Sequence, residues 1–99
     1  MGICISLQKE NGVQIEGVAD HTNVLHRILP QGKDNILSGI DWYGDTVFNG
    51  QQMERFLAAW RELKAGTENP EEAVLLSAVE GFAERCAAGT HLYLKFVGD

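Results

Sequence analysis

The feature that most constrains the fold is a pair of helices predicted between residues 50 and 88. Asn69, Pro70 and Glu72 form the clearest helix start in the chain. Asn can accept backbone amides at the N-cap, Pro suits the first helical position, and Glu at the third can reach back to the cap amide. Gly89 predicts the end of this second helix. Its predicted apolar face is Leu75, Leu76, Val79, Phe82, Ala83 and Cys86.

The first helix of the pair has an equally regular apolar stripe. Asn49 predicts its N-cap, and Gly66 predicts a left-handed C-cap. The short connection between the helices predicts antiparallel neighbours. Gly81 lies inside the second helix, where we expect it to permit close approach of the first. The stripe of the first helix consists of Met53, Phe56, Leu57, Trp60 and Leu63.

Alternating polarity predicts strands on both sides of the helix pair. Residues 2–8 and 13–18 form a predicted β-hairpin, with Asn11 and Gly12 in a turn that needs positive φ. A short helix follows from Asp20 to Leu29, capped by Asp20 or Thr22 and stopped by Pro30. The expected core-facing side chains of the hairpin are Ile3, Ile5 and Leu7 in the first strand, and Val13, Ile15 and Gly17 in the second.

The remaining segments complete an α+β domain. Residues 31–44 predict a loop with one turn at Ile36 and Leu37, residues 45–48 a short strand, and residues 91–97 a C-terminal strand. We therefore expect one domain over residues 1–99, with a small antiparallel or mixed sheet and the helix pair on one face.

Charge and cysteine content limit the classes of partner. A formal net charge of −6 would repel nucleic acid and the anionic face of a membrane. It would favour a basic protein partner, although an acidic surface more often serves only solubility. Cys4 and Cys86 form no CxxC pair and lie in a predicted strand and helix, so buried free thiols in the reducing cytoplasm are expected. Residues 1–6 fit an N-myristoylation pattern, but their strand alternation is the stronger signal.

One segment, residues 39–49, combines carboxylates, large aromatics and glycines before the first long helix. We expect Asp41, Trp42, Tyr43 and Asp45 to bind a partner protein, because aromatics at a desolvated centre often dominate binding energy. Two alternatives use the same residues. In the first, which is favoured over catalysis, Asp41 and Asp45 are turn formers that accept backbone amides; in the second they hold a divalent cation or act as an acid and base pair.

Catalytic and cofactor chemistry has little support. His21 and His26 lie on different faces of a helix, and His91 lies on a distant strand, so no zinc site is expected. No serine or cysteine has the setting of a nucleophile, and no phosphate-binding glycine loop is present. We therefore expect no cofactor and favour binding over enzymatic activity.

Two segments carry a resemblance. The pattern G-I-D-x-Y-G-D-T-x-F-N at residues 39–49 and the pattern H-x-Y-L-K-F-x-G-D at residues 91–99 are similar to those of small bacterial proteins of unassigned function. This resemblance implies no chemistry. The leading hypothesis is a small acidic binding or regulatory protein, and its most specific version is an immunity or antitoxin protein. The alternatives are a small metal-dependent hydrolase that uses Asp41 and Asp45, and a homo-oligomeric structural domain joined through a sheet edge.

Overall fold

The computed structural model describes residues 3–20, 24–29 and 35–98. It has the predicted α+β architecture. Thr22, Pro30, His21 and the acylation site lie outside the described residues. No helix in the described part of the chain has both the length and the apolarity to cross a bilayer. In chain order the elements are β1 (Cys4–Lys9), β2 (Gln14–Ala19), α1 (Val24–Ile28), β3 (Asp45–Asn49), α2 (Met53–Ala65), α3 (Pro70–Ala88) and β4 (Leu92–Val97), with 3-10 turns at Ile36–Gly39 and Gly50–Gln52.

The four strands form one antiparallel sheet in the order β2-β1-β4-β3. The C-terminal strand β4 therefore lies in the centre, between β1 and β3. The two edge strands are β2 and β3. Ile5 of β1 is paired with Phe96 of β4, and Leu7 with Leu94. All four side chains are buried on the face that carries the helices.

The N-terminal hairpin forms as predicted, and Ile15 packs against the core as expected, but the expected burial of Val13 and Gly17 is wrong. Gly12 has φ +86, and its amide donates to Lys9 O over 2.9 Å, as the Asn-Gly turn requires. A register shift between Leu7 and Gln8 then leaves Ile15 as an extra residue in β2. This bulge reverses the alternation. Val18 and Ile15 pack against the core, whereas Val13 is 52 % exposed and Gly17 is exposed.

The predicted capping residues Asp20, Asn49 and Asn69 all accept backbone amides, although Asn49 caps a 3-10 turn and α2 itself begins only at Met53. Both carboxylate oxygens of Asp20, which is buried, accept amides of α1, from Val24 and Leu25 at 2.8 Å each. Asn49 and Gln52 form a reciprocal capping box at the 3-10 turn before α2. Asn69 caps α3 by accepting the Glu71 amide at 2.9 Å.

Three expected details of the helix pair are wrong. Glu72 does not reach back to the Asn69 amide but accepts the Thr67 hydroxyl at 2.7 Å. Gly66 has φ −85, so the left-handed cap is not formed. A Cβ added at Gly81 would meet nothing within 4 Å, so the neighbouring helix does not approach closely there.

An aromatic cluster joins the helix pair to the sheet. Phe56 and Trp60 of α2 stack with ring centroids 5.3 Å apart, and Trp60 Nε1 donates to Leu76 O of α3 at 2.9 Å. Phe48 of β3 contacts Phe56 and, edge-on at 5.8 Å, Phe96 of β4. Because Phe48 is fixed in the core, its neighbour Val47 must point to the opposite face of the sheet.

Candidate functional site

The segment from Asp41 to Asp45 is a tight turn that its own side chains hold together. The Asp41 carboxylate accepts the Tyr43 amide at 2.9 Å, and the Asp41 amide donates to Thr46 Oγ1 at 2.8 Å. A Cβ added at Gly44 would lie 2.8 Å from Asp41 Oδ2, so a side chain at this position would displace the carboxylate. Asp41 thus forms the turn that the sequence allowed as an alternative.

The end of β4 clamps the same turn. The Gly98 amide donates to Gly44 O over 2.7 Å, which continues the ladder between β3 and β4 by one residue. A Cβ added at Gly98 would lie less than 3 Å from the carbonyl oxygens of Asp41 and Trp42. The backbone of the turn therefore lies directly against Gly98, and the turn has a fixed position relative to the sheet.

The four predicted binding residues have different environments. Trp42 is half-buried and packs against the hydrophobic core, so part of its surface is already occupied. Tyr43 is 80 % exposed at the tip of the turn. Asp45 is exposed and lies 3.4 Å from Lys95 Nζ on the neighbouring strand. Asp41, Tyr43 and Asp45 are thus all exposed, but the Asp41 carboxylate is bonded within the turn and Trp42 packs against the core.

The outer edge of β3 adds a residue that the sequence analysis missed. Since Gly98 donates to Gly44, the hydrogen-bonded pairs with β4 fall at even positions of β3, Thr46 and Phe48. The amides and carbonyls of Asp45 and Val47 therefore point away from β4, towards the open edge. The Val47 side chain is 51 % exposed. We call Tyr43, Asp45 and Val47 together the β3-edge surface.

The sequence alone does not show that the Val47 side chain lies on the exposed face of the sheet. Alternation in 45–48 shows that Val47 and Phe48 face opposite sides of the sheet. It does not show which of the two faces is covered by helices. The strand order and the contacts of Phe48 with Phe56 and Phe96 decide this.

Basic side chains on the described surface are largely engaged by the chain's own carboxylates. Arg61 and Lys64 of α2 bind Glu80 of α3 at 2.9 and 2.7 Å, and Arg61 also binds Glu84 at 3.0 Å. The two cations lower the pKa of the Glu80 carboxyl, Lys64 most strongly. Other pairs of this kind are Arg27 with Glu72, Arg85 with Glu16 and Lys95 with Asp45.

A second acidic surface lies at the connection between α2 and α3. Glu62, Glu68 and Glu72 line a concavity of about 600 Å³, whose floor includes Ile28 and Leu63. The Thr67 hydroxyl and then Arg27 lower the pKa of Glu72, which keeps this carboxylate charged to lower pH. A basic partner would therefore meet negative charge here as well.

Among the described residues, His91 and Cys86 each have a separate partner. His91 Nδ1 lies 3.5 Å from Glu10 Oε2, and His91 has φ +57 where the chain enters β4. Cys86 is buried as predicted, its thiol donates to Leu92 O at 3.3 Å, and burial raises its pKa. The predicted burial of Cys4 is wrong, because Cys4 lies on the face of β1 opposite to the buried Ile3 and Ile5. Within residues 3–20, 24–29 and 35–98, no three His, Cys, Asp or Glu side chains are grouped to hold a metal ion. The hydrolase hypothesis stays a prediction.

Comparisons of this chain with protein-family models, with curated proteins and with solved structures found no match.

Proposed function

We propose that the chain is a small acidic protein-binding module that acts in the cytoplasm on a basic partner protein. Its contact surface is the β3-edge surface. The most specific version of this proposal is an immunity or antitoxin protein. The observation that carries the proposal is Tyr43, which is 80 % exposed on a turn held by Asp41, Gly44 and Gly98. A large aromatic side chain on a rigid turn loses little conformational entropy when a partner covers it.

Charge supports the same partner chemistry. The chain has a formal net charge of −6, and many of its described cations are already bound to its own carboxylates. A basic protein would therefore be attracted over the whole surface and would meet few competing cations. Tyr43 supplies the apolar contact at the centre, and Asp45 supplies an acidic rim.

Affinity capture tests this function. The immobilised chain is exposed to lysate at low ionic strength, bound proteins are eluted with salt and identified by mass spectrometry, and the major basic protein is purified for calorimetry. Tyr43→Ala should weaken its binding at least about tenfold, as expected for an aromatic hot spot. Asp45→Asn should slow association and reduce the salt dependence.

The matched control is Val74→Ala, because Val74 is 72 % exposed on α3, an element separate from the β3-edge surface. Its affinity should equal that of the wild type. Equal affinities for the wild type, Tyr43→Ala and Asp45→Asn would remove the β3-edge surface from the interface. Capture of only acidic or neutral proteins would reject the basic partner.

A further inference from the structure

We infer that the partner binds by adding an extended, basic segment to the sheet as a fifth strand beside β3. This inference rests on the function proposed above and specifies the binding mode of the same surface. The main-chain groups of Asp45 and Val47 would form the new ladder. The Tyr43 side chain lies beside the N-terminal end of this edge.

The geometry of β3 provides the hydrogen bonds. Thr46 and Phe48 use their main-chain groups to pair with Phe96 and Leu94 of β4, so the groups of Asp45 and Val47 point the other way. Among the described residues, no strand pairs with that side of β3. The ladder has a defined limit, because the Asn49 amide already donates to Gln52 Oε1 at 2.8 Å.

The other edge of the sheet is a poorer template. In β2 the extra residue Ile15 interrupts the regular register, and a bulge of this kind twists an edge strand away from a straight partner. The side-chain amide of Gln14 also lies over Gly17, because its nitrogen is within 3 Å of where a Cβ on Gly17 would be. In β3 the register with β4 is regular from Asp45 to Asn49. An added strand is therefore expected at β3.

The exposed side chains of the edge define the chemistry of the added segment. Val47 favours an apolar, β-branched neighbour opposite it, and Asp45 favours a lysine or arginine. Since the side chains of a strand on one face are two residues apart, an antiparallel segment would read apolar-x-basic. A second copy of this chain fits less well, because two copies would each carry a net charge of −6.

The substitution Val47→Pro is expected to block strand addition at β3 without disrupting the fold. Val47→Pro removes an amide that points away from β4, and proline is tolerated on the solvent side of an edge strand, so the domain should keep its fold. Val47→Ala retains the amide and shortens only the side chain. The binding probe is the capped peptide Thr-Lys-Thr-Val-Thr-Lys-Thr, which presents lysine on both sides of valine, with Thr-Glu-Thr-Val-Thr-Glu-Thr as the acidic control.

Amide hydrogen exchange of the wild-type chain, measured by NMR at millimolar peptide, gives a readout that does not depend on a variant folding. The basic peptide should slow exchange at Asp45 and Val47 but not change that of the already bonded Thr46 and Phe48. Val47→Pro should bind the basic peptide at least about tenfold more weakly, and Val47→Ala within about threefold of the wild type. The acidic peptide should bind at least about tenfold more weakly.

Three results would overturn strand addition. The first is unchanged exchange at Asp45 and Val47 in saturating basic peptide. The second is equal binding by a folded Val47→Pro variant, and the third is a free chain that is dimeric by light scattering and becomes monomeric in Val47→Pro. If the captured basic protein still depends on Tyr43 in any of these cases, the proposed function stands and only its binding mode is wrong. If binding depends neither on Tyr43 nor on the β3 edge, both the proposed function and the binding mode are rejected.

Discussion

Gly98 connects the end of the central strand to the turn that presents Tyr43, so Gly98→Ala perturbs the candidate site from a distance. The added Cβ would lie less than 3 Å from the carbonyl oxygens of Asp41 and Trp42, and one of the two backbones must move. Keeping both in place would cost about 1–3 kcal/mol of overpacking. Releasing the C-terminal residues instead costs the Gly98 to Gly44 hydrogen bond, about 0.5–1.5 kcal/mol.

The cheaper route should dominate, since Gly98 lies just beyond the end of β4 at Val97. With partial loss of Trp42 packing, we expect a total cost of about 1–2 kcal/mol in the free energy of unfolding. For a domain of this size this lowers Tm by roughly 4–16 °C. Thermal and urea unfolding followed by circular dichroism measure the cost, and the amide chemical shift of Tyr43 reports whether the turn has moved.

Gly39→Ala is the matched control for Gly98→Ala. Gly39 has no atom within 4 Å of an added Cβ and no positive φ, so this variant should stay within about 0.5 kcal/mol of the wild type. If Gly98→Ala leaves both Tm and the Tyr43 amide shift unchanged, the clamp between β4 and the turn does not exist as described. The reasoning about how the fold positions Tyr43 would then be refuted.

Three further predictions concern stability and reactivity. Gly81→Ala should raise the free energy of unfolding by about 0.5–1 kcal/mol in urea titrations, because the site is helical and open, and a loss of stability would mean that another element packs there. Lys64 and Arg61 lower the folded-state pKa of Glu80, so its stabilising contribution is complete above the pKa of an unfolded glutamate, about 4.3, and is lost as pH falls through the lower folded-state pKa. Glu80→Gln should therefore lose less stability than the wild type between about pH 7 and pH 3, and equal losses would contradict this. At neutral pH, iodoacetamide should modify exposed Cys4 first and Cys86 only after denaturant is added, because burial raises the pKa of Cys86 and blocks access; mass spectrometry with equal early labelling of both would contradict the burial.

Local signals in the sequence predict the elements well where the responsible contacts are also local. Asn69 caps α3, Asn49 caps the 3-10 turn that leads into α2, and Gly12 takes the positive φ that its turn demands. The apolar alternation of β1 appears directly as burial of Ile3, Ile5 and Leu7. Each of these features depends on neighbours within about four residues, so a single sequence is enough to find them.

Features that depend on distant partners were predicted less well. The bulge at Ile15 arises from the pairing of β2 with β1, and it places Val18 opposite the buried Ile5 while Gly17 lies opposite Ser6 on the other face. Glu72 accepts the Thr67 hydroxyl and binds Arg27 of α1 instead of accepting the backbone amide of Asn69, because the α1 cation lies near. Open space at Gly81 likewise depends on the path of α2, which no local pattern encodes.

The candidate site shows the same division. The sequence identified the segment and its residues, and the Asp41 turn follows from known turn chemistry. It did not show that Trp42 packs inward while Tyr43 stays in solvent, since both are large aromatics in one loop. Nor did it show that β3 is an edge strand, which follows from the placement of β4 in the centre of the sheet.

An NMR titration of the isotope-labelled chain with the captured basic protein tests the central claim most directly. If the β3-edge surface is the interface, signals should shift or broaden at Tyr43, Asp45 and Val47, while those of Val74 on α3 stay unchanged. Perturbation confined to Glu62, Glu68 and Glu72 around the second acidic surface would contradict it, since the partner would then bind at the α2 to α3 connection.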